Sequence, residues 1–325
     1  MKLAGAVLPT GSRPRLRSAV LLPDEGPRAG LGHVGRCLAL AQALQHRGWD
    51  ARLVLRDVMA RRLARSAGIR TAASSTSRWD LVVVDSYLRP RTLLRDNRAR
   101  ADLLAAIDDR HVLRPMEADF ILRPSIGERS GTNVAGGSSY VLLRREHWRP
   151  RLTHHSPTVR RVLVTLGGYP DPVALARVVS AVLGAIPGVR VDVILGTRSD
   201  VSSLRLGRAA HVVQGPIPLR PLLMRADLVV TAGGQTLYEV LATGRPAVVL
   251  LAADNQVRQV RAAARAGAVR LGPWLQDPRL QTKISRSVRE LASDPPRRHR
   301  LARTGRGLVD GRGALRAAAW LTRPR

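Results

Sequence analysis

One histidine sits inside a glycine-rich stretch, His33 in AGLGHVGRCLALAQAL (29–44), and that setting invites chemistry. Gly30, Gly32 and Gly35 give the spacing G-x-G-x-x-G, the fingerprint of a dinucleotide-binding turn. Two features disagree with a nicotinamide loop. The fingerprint needs a tight turn straight after the first strand, and here PDEGPRA intervenes between Leu22 and Gly30. The acid that should hold a ribose, with Asp57 as candidate, lies further on than the motif expects. A glycine at position 32 still lets backbone approach a ligand closely, and a helix start behind it favours an anion. An imidazole there suits a general base. Alternatively, His33 is an ordinary residue of a helix start. Arg36, one turn on, either holds a phosphate or is solvated.

A second glycine loop is TAGGQTLYEVLATGRP (231–246). An apolar strand runs into Gly233, Gly234 and Gln235, where a helix starts. Free N–H groups and the helix dipole at such a start suit a diphosphate. Leu237, Val240 and Leu241 mark the buried face of that helix, while Thr236 and Glu239, three apart, share another. A glutamate one turn in can accept both hydroxyls of a ribose; it can equally be solvated on a capped surface helix. LGGYPDP (166–172) repeats strand-then-glycines with Gly167 and Gly168, either a flap over a nucleotide or an ordinary turn. Asn255 and Gln256 in ADNQ suit a sugar or phosphate, or cap a helix. Asp85 and Tyr87 in VVVDSY divide between helix cap and active-site pair.

The elements that must hold these residues alternate strand and helix, the pattern of parallel α/β units. The expected strands of a first half are SAVLL (18–22), ARLVL (51–55), DLVVVD (80–85), LLAAIDD (103–109) and ADFIL (118–122). DLVVVD is continuously apolar, as a strand covered on both faces should be. Between them, Val34, Cys37, Leu38, Ala41 and Leu44 recur at helical spacing. WRPRLTHHSPTV (148–159) lacks periodicity and reads as a linker. The series restarts with RVLVTLGG (161–168), VRVDVIL (189–195), AHVVQG (210–215), ADLVVTAGG (226–234) and RPAVVLL (245–251). The expectation is two domains, 1–150 and 151–325, with a ligand cleft between them. The tail from Asp294 reads as helical, broken at GLVDGRGA (307–314), and returns towards the first half.

Composition narrows the function classes. At 325 residues the chain exceeds what one core usually serves. Aromatic residues are 3% of it, so Ala, Leu and Val must fill the interior. The net charge of +30 would ordinarily suggest nucleic acid or an anionic membrane surface. Yet of 54 basic residues only Lys2 and Lys283 are lysine, and the arginines are spread over every segment in the manner of a codon bias. With few aromatics to stack on bases, no nucleic-acid partner is expected, although the basic surface leaves room for peripheral membrane contact. No apolar run reaches the ~20 residues of a membrane helix. No signal peptide is read at the N-terminus, and a single cysteine, Cys37, gives neither an intramolecular disulfide nor a cysteine zinc cluster. The expected location is the cytoplasm, with no metal site, no cofactor, and a monomeric or weakly oligomeric state.

Taken together, GLGHVGRCLALA, VVVDSY, YVLLRREHW, TLGGYPDP, TAGGQTLYEVLATGRP, DNQ and VDGRGA resemble, in order, the UDP-sugar hydrolases of pseudaminic acid biosynthesis and the related spore-coat polysaccharide proteins. The likeness covers roughly residues 18 to 315. The second half also resembles the nucleotide-binding domain of the glycosyltransferase that makes lipid II. The resemblance implies an α/β fold of the GT-B type, tandem Rossmann-like domains around a cleft, with no metal requirement. It implies UDP against the second half, its ribose at Glu239 and its diphosphate near Gly233, Gly234 and Gln235. It makes the histidine matching His33 the activator of water, and puts the residues matching Asp85, Tyr87, Asn255 and Gln256 at the sugar. Gly35, where methionine is common in the family, Tyr169, and Glu-His-Trp (146–148) depart from its pattern and leave the sugar and acceptor open. The expected function is an inverting UDP-amino-sugar hydrolase. The alternatives are a GT-B glycosyltransferase with the same site and a non-catalytic nucleotide-sugar-binding protein; an oxidoreductase is the weakest.

Overall fold

The computed structural model describes residues 16–26, 29–149, 156–167, 171–196, 206, 209–215 and 218–323. Gly168 and Tyr169 lie outside these residues, as do the N-terminal residues read for a signal peptide and the middle of the expected linker.

The first half begins with β1 (Ser18–Pro23), α1 (Gly32–His46), β2 (Asp50–Val54), α2 (Val58–Ser66) and β3 (Arg70–Ala72). It continues through β4 (Trp79–Asp85), α3 (Pro90–Asn97), β5 (Ala101–Ile107), β6 (Phe120–Arg123) and β7 (Val134–Gly136). Its seven strands run parallel in the order β3-β2-β1-β4-β5-β6-β7. The second half has β8 (Arg161–Thr165), α4 (Pro172–Ala185), β9 (Arg190–Leu195), β10 (Ala210–Gln214), α5 (Leu219–Arg225), β11 (Leu228–Ala232), α6 (Gln235–Thr243), β12 (Ala247–Leu251), α7 (Asp254–Arg265) and β13 (Arg270–Trp274). Its parallel sheet runs β10-β9-β8-β11-β12-β13. Helices α8 (Leu280–Ser293), α9 (Pro295–Leu308) and α10 (Gly313–Leu321) follow.

Both sheets therefore reverse direction of winding beside their first strand, at β1/β4 and at β8/β11. In such doubly wound sheets the crevice beyond the strand ends at the reversal takes the ligand. The first crevice collects the start of α1 and the end of β4, where Pro23 pairs with Asp85. The second collects the turn after β8 and the Gly233-Gly234 turn after β11.

The central strands β4, β11 and β12 are buried almost throughout, as helices on both faces require. Aliphatic side chains dominate the cores, with Trp49, Trp148 and Phe120 as the aromatic members of the first. Helix α1 is enclosed on two sides. One face meets the sheet, and another meets Ala314, Ala317, Ala318 and Leu321 of α10. Small residues at those α10 positions let the two helices approach, and Gly313 is held so close that a Cβ would fall 2.2 Å from the Val141 carbonyl oxygen.

Three strands escape the sequence pattern. β3 and β7 have three residues each, and β13 reads RLGPW, with a glycine and a proline that strand signals exclude. β13 tolerates them because it is an edge strand with an irregular register against β12.

Candidate functional site

The first wall of the cleft is a closed polar network. His33, on the first turn of α1, is 5% exposed, and its Nδ1 lies 2.6 Å from Oδ1 of Asp85 at the end of β4. Asp85 is 0% exposed. Arg36 reaches it with two nitrogens, Nε to Oδ2 at 2.6 Å and Nη2 to Oδ1 at 2.6 Å, while its Nη1 donates to Asp109 Oδ2 at 2.7 Å. Tyr87 donates its hydroxyl to Asp109 Oδ1 at 2.7 Å and sets its ring edge-on to the imidazole, 4.3 Å between centroids.

The short contact with Asp85 favours one histidine tautomer. Burial works to raise the Asp85 pKa, but Arg36 and His33 outweigh it and hold the carboxyl below its usual range. An ionised carboxylate only accepts, so the Nδ1 facing it carries the proton. Arg36 Nη2 lies 3.0 Å from the same Nδ1, while among the described residues no protein group engages the other ring nitrogen. This is the arrangement in which a carboxylate orients an imidazole as a base. Burial, with Asp109 adding to it, pushes the Tyr87 phenol well up, so it remains a donor. Burial also keeps Cys37, 3.7 Å from Asp85, a thiol rather than a nucleophilic thiolate.

Asp24 braces this wall. It accepts from Ser86 Oγ at 2.8 Å and from the Tyr87 and Leu88 backbone N–H groups at 2.6 and 3.1 Å, which fixes the loop behind Asp85. Asp57, the candidate ribose acid of a nicotinamide site, is instead the N-cap of α2, accepting from the Met59 and Ala60 N–H groups.

The second wall is mostly backbone. Gly234 precedes α6 at φ 100°, and no side chain caps the helix. Gly233 packs so tightly that a Cβ would lie 2.7 Å from Val260 Cγ2 and 2.9 Å from Gln256 Cβ. Gln235 donates its Nε2 to the Leu142 carbonyl at 2.5 Å, across to the segment that leaves the first half. Beside it, Tyr238 hydrogen-bonds Ser125 of the first half at 2.9 Å and also Gln259 of α7.

Between the walls lies a cavity of about 190 Å³, bounded on one side by Gly32, His33, Arg36 and Tyr87 and on the other by Gly234, Gln235, Asn255 and Gln256. The residues singled out on two separate halves of the sequence thus face one crevice. Asp109, Tyr238 and Gln259 also line it and were not singled out. The signal for Asp109 was present, since LLAAIDD ends in carboxylates at a strand's carboxyl end just as VVVDSY does. Tyr238 and Gln259 read only as helix residues.

Other candidates do not line this cavity. Gly167 follows β8 at φ 100°, and Thr236 is half-buried in the first turn of α6. Glu239 is 8% exposed and turns to the 144–147 segment, 3.7 Å from Arg144 Nη2 and 3.8 Å from His147 Nε2. Glu146, His147 and Glu239 form the one group among the described residues that has metal-ligand spacing. Arg144 already supplies its counter-charge, 2.8 Å from Glu146 Oε1. Burial works to raise the Glu146 pKa, but the contacts with His147 and Arg144 prevail and lower it.

Comparison with known proteins follows the same lines. No protein-family model matches the chain. It is 24% identical to spore coat polysaccharide biosynthesis protein SpsG of Bacillus subtilis (strain 168) over 93% of its own length and 96% of that protein. It is 29% identical to a UDP-N-acetylglucosamine--N-acetylmuramyl-(pentapeptide) pyrophosphoryl-undecaprenol N-acetylglucosamine transferase of Sorangium cellulosum (strain So ce56), over 83% of its length and 66% of that protein. A solved putative UDP-N-acetylglucosamine 2-epimerase from Listeria monocytogenes superimposes with a TM-score of 0.67 over 94% of this chain and 95% of that one, at 13% identity, a likeness of fold. The solved structure shows the GT-B fold, and the two sequence relatives indicate an enzyme of the glycosyltransferase type. The expectation that water is the acceptor finds no counterpart among them.

Proposed function

We propose that the chain is an inverting GT-B glycosyltransferase that takes a sugar from a nucleoside diphosphate, UDP being the first to test, and passes it to an acceptor hydroxyl. The observation that carries this reading is the buried His33–Asp85 pair facing the uncapped start of α6 across the cleft. Residues 1–150 form the domain of sugar and acceptor, and residues 151–325 that of the nucleotide, with α10 returning to the first.

In this reading the acceptor O–H gives its proton to Nε2 of His33 as its oxygen attacks the anomeric carbon. The carbon–oxygen bond to the diphosphate breaks and its electron pair leaves with the phosphate. Asp85 stabilises the imidazolium and keeps the ring in place. The N–H groups at Gly234, Gln235 and Thr236 meet the charge developing on the leaving group, a preorganised electrostatic contribution of the kind that usually dominates. Gly167 and Gly168 close over the diphosphate, with Gly233 letting it approach. Glu239 turns from Arg144 to the ribose. Tyr87, Asn255 and Gln256 contact the sugar, Gly32 opens space for it, and Arg36 holds the catalytic carboxylates. The cavity of about 190 Å³ is below the roughly 300–1,000 Å³ of ligand sites, so the halves part to admit the donor. The enzyme works in the cytoplasm as a monomer or weak oligomer, its basic surface free to touch a membrane; no helix of the described residues is long and apolar enough to cross one.

The test is UDP release from a panel of UDP-amino-sugars, with and without a mixture of sugar and lipid-linked acceptors. Release that needs an acceptor supports transfer. Release in water alone selects the hydrolase. Absence of binding of UDP, thymidine diphosphate and GDP alike by calorimetry overturns both.

A further inference from the structure

On the far side of the 144–149 segment lies a larger cavity, about 870 Å³, that the proposed reaction does not use. Five arginines wall it: Arg145 and Arg149 of the connecting segment, Arg220 of α5, and Arg312 and Arg316 at the start of α10. Glu146 is its single acidic lining residue. Arginine is abundant throughout this chain, so numbers alone carry little. Their convergence on one concavity with a single carboxylate is the telling feature. Arg316 is bound to Asp310, and Arg220 donates to the Arg149 carbonyl at 3.1 Å. The guanidiniums of Arg145, Arg149 and Arg312 have no hydrogen bond or ion pair among the described residues, and all three side chains are exposed around the same concavity. Glu146 is meanwhile turned to Arg144.

We propose that this cavity binds a phosphate-bearing anion, a diphosphate group fitting it best. Guanidiniums that outnumber the carboxylates in one concavity repel one another, and an anion relieves that repulsion. Guanidinium forks bind phosphate oxygens in pairs, which a lysine ammonium does not. The volume is within the roughly 300–1,000 Å³ of small-molecule sites. Because Arg220 belongs to the second half and Arg312 packs with α10 on the first, the bound anion bridges the two halves behind the cleft. The inference does not depend on the transferase reading.

The experiment titrates inorganic pyrophosphate into the full chain by calorimetry at physiological ionic strength, with UDP in excess to fill the cleft. One saturable site is expected to remain. The double variant Arg145→Ser/Arg312→Ser should weaken it by about tenfold or more, the loss of charge-assisted hydrogen bonds. The charge-matched control Arg62→Ser/Arg65→Ser, on exposed α2, should change it by no more than about twofold, the screened effect of distant charge. Thermal melts check that each variant folds. A second arm sediments the protein with phosphatidylcholine vesicles carrying phosphatidic acid. Retention that depends on Arg145 and Arg312, with no pyrophosphate binding, assigns the phosphate to a lipid headgroup. Equal weakening in both variants, or no response of either ligand to the Arg145/Arg312 change, overturns the proposal. If UDP does not bind, the contrast between the two variants still reads this cavity.

Discussion

The two walls of the cleft are built in opposite ways. The first is made of side chains, with His33, Arg36, Asp85, Tyr87 and Asp109 locked together by hydrogen bonds of 2.6 to 2.7 Å. The second offers mainly backbone: a glycine at φ 100°, a helix start without a cap, and amide side chains nearby. A side-chain network fixes one tautomer and one orientation, so it suits the atom that must take a proton. A backbone nest is indifferent to the rest of the ligand and suits a diphosphate common to many donors. The comparison implies that substitutions in the first wall act on turnover alone, and those in the second on nucleotide affinity and turnover together.

The largest effect should come from His33→Ala. Loss of a general base costs about 10²–10⁴-fold in rate, and UDP affinity by calorimetry should stay unchanged. Equal losses in kcat and affinity would break the division between the walls.

Asp85→Asn should follow. It leaves the buried Arg36 guanidinium without its main partner, a cost of about 3–5 kcal/mol in unfolding free energy by denaturant titration. The same carboxylate gives a pH signature. Its folded pKa lies below the unfolded value of about 3.9, so its stabilisation is complete above roughly pH 4 and is lost as pH falls through the lower folded value. Melting temperature measured from pH 7 downwards should drop more steeply at the acid end in the parent than in Asp85→Asn.

On the second wall, Gly233→Ala forces a Cβ against Val260 and Gln256 and displaces α7 from the start of α6. UDP binding should weaken about tenfold, with turnover falling alongside it because the same N–H groups meet the leaving-group charge; an unchanged dissociation constant would remove Gly233 from the nest. The smallest change should be Tyr238→Phe, which deletes a hydroxyl shared by Ser125 and Gln259 and should cost about 1 kcal/mol of stability.

The same contrast explains what was legible in the sequence. Continuous apolar runs such as DLVVVD gave the central strands, and glycines after two of them marked both crevices. β3 and β7 were not legible because three residues carry no period, and β13 was hidden by its own glycine and proline. Among site residues, His33 and Asp85 stood out because a polar group ends an apolar element. Arg36 read as either a phosphate ligand or a solvated residue, and the structure sets its guanidinium against Asp85 and Asp109 at the cavity wall. Glu239 could not be placed from its helix alone, because what it faces, the 144–147 segment, is distant in the chain. Tyr238 and Gln259 have the same difficulty, since only packing of α6 on α7 brings them together.

The seat of α10 against α1 has a consequence for how the protein is made. Leu142 and Trp148 cover part of α1, but the face that meets α10 stays open until residues near 320 are available, almost three hundred positions after the helix begins. During synthesis the leading lobe therefore waits with an apolar helix open to water, which is when a nascent chain is most exposed to aggregation. A truncated first lobe ending at residue 150 would keep that defect permanently, and supplying α10 as a separate peptide is the direct way to repair it.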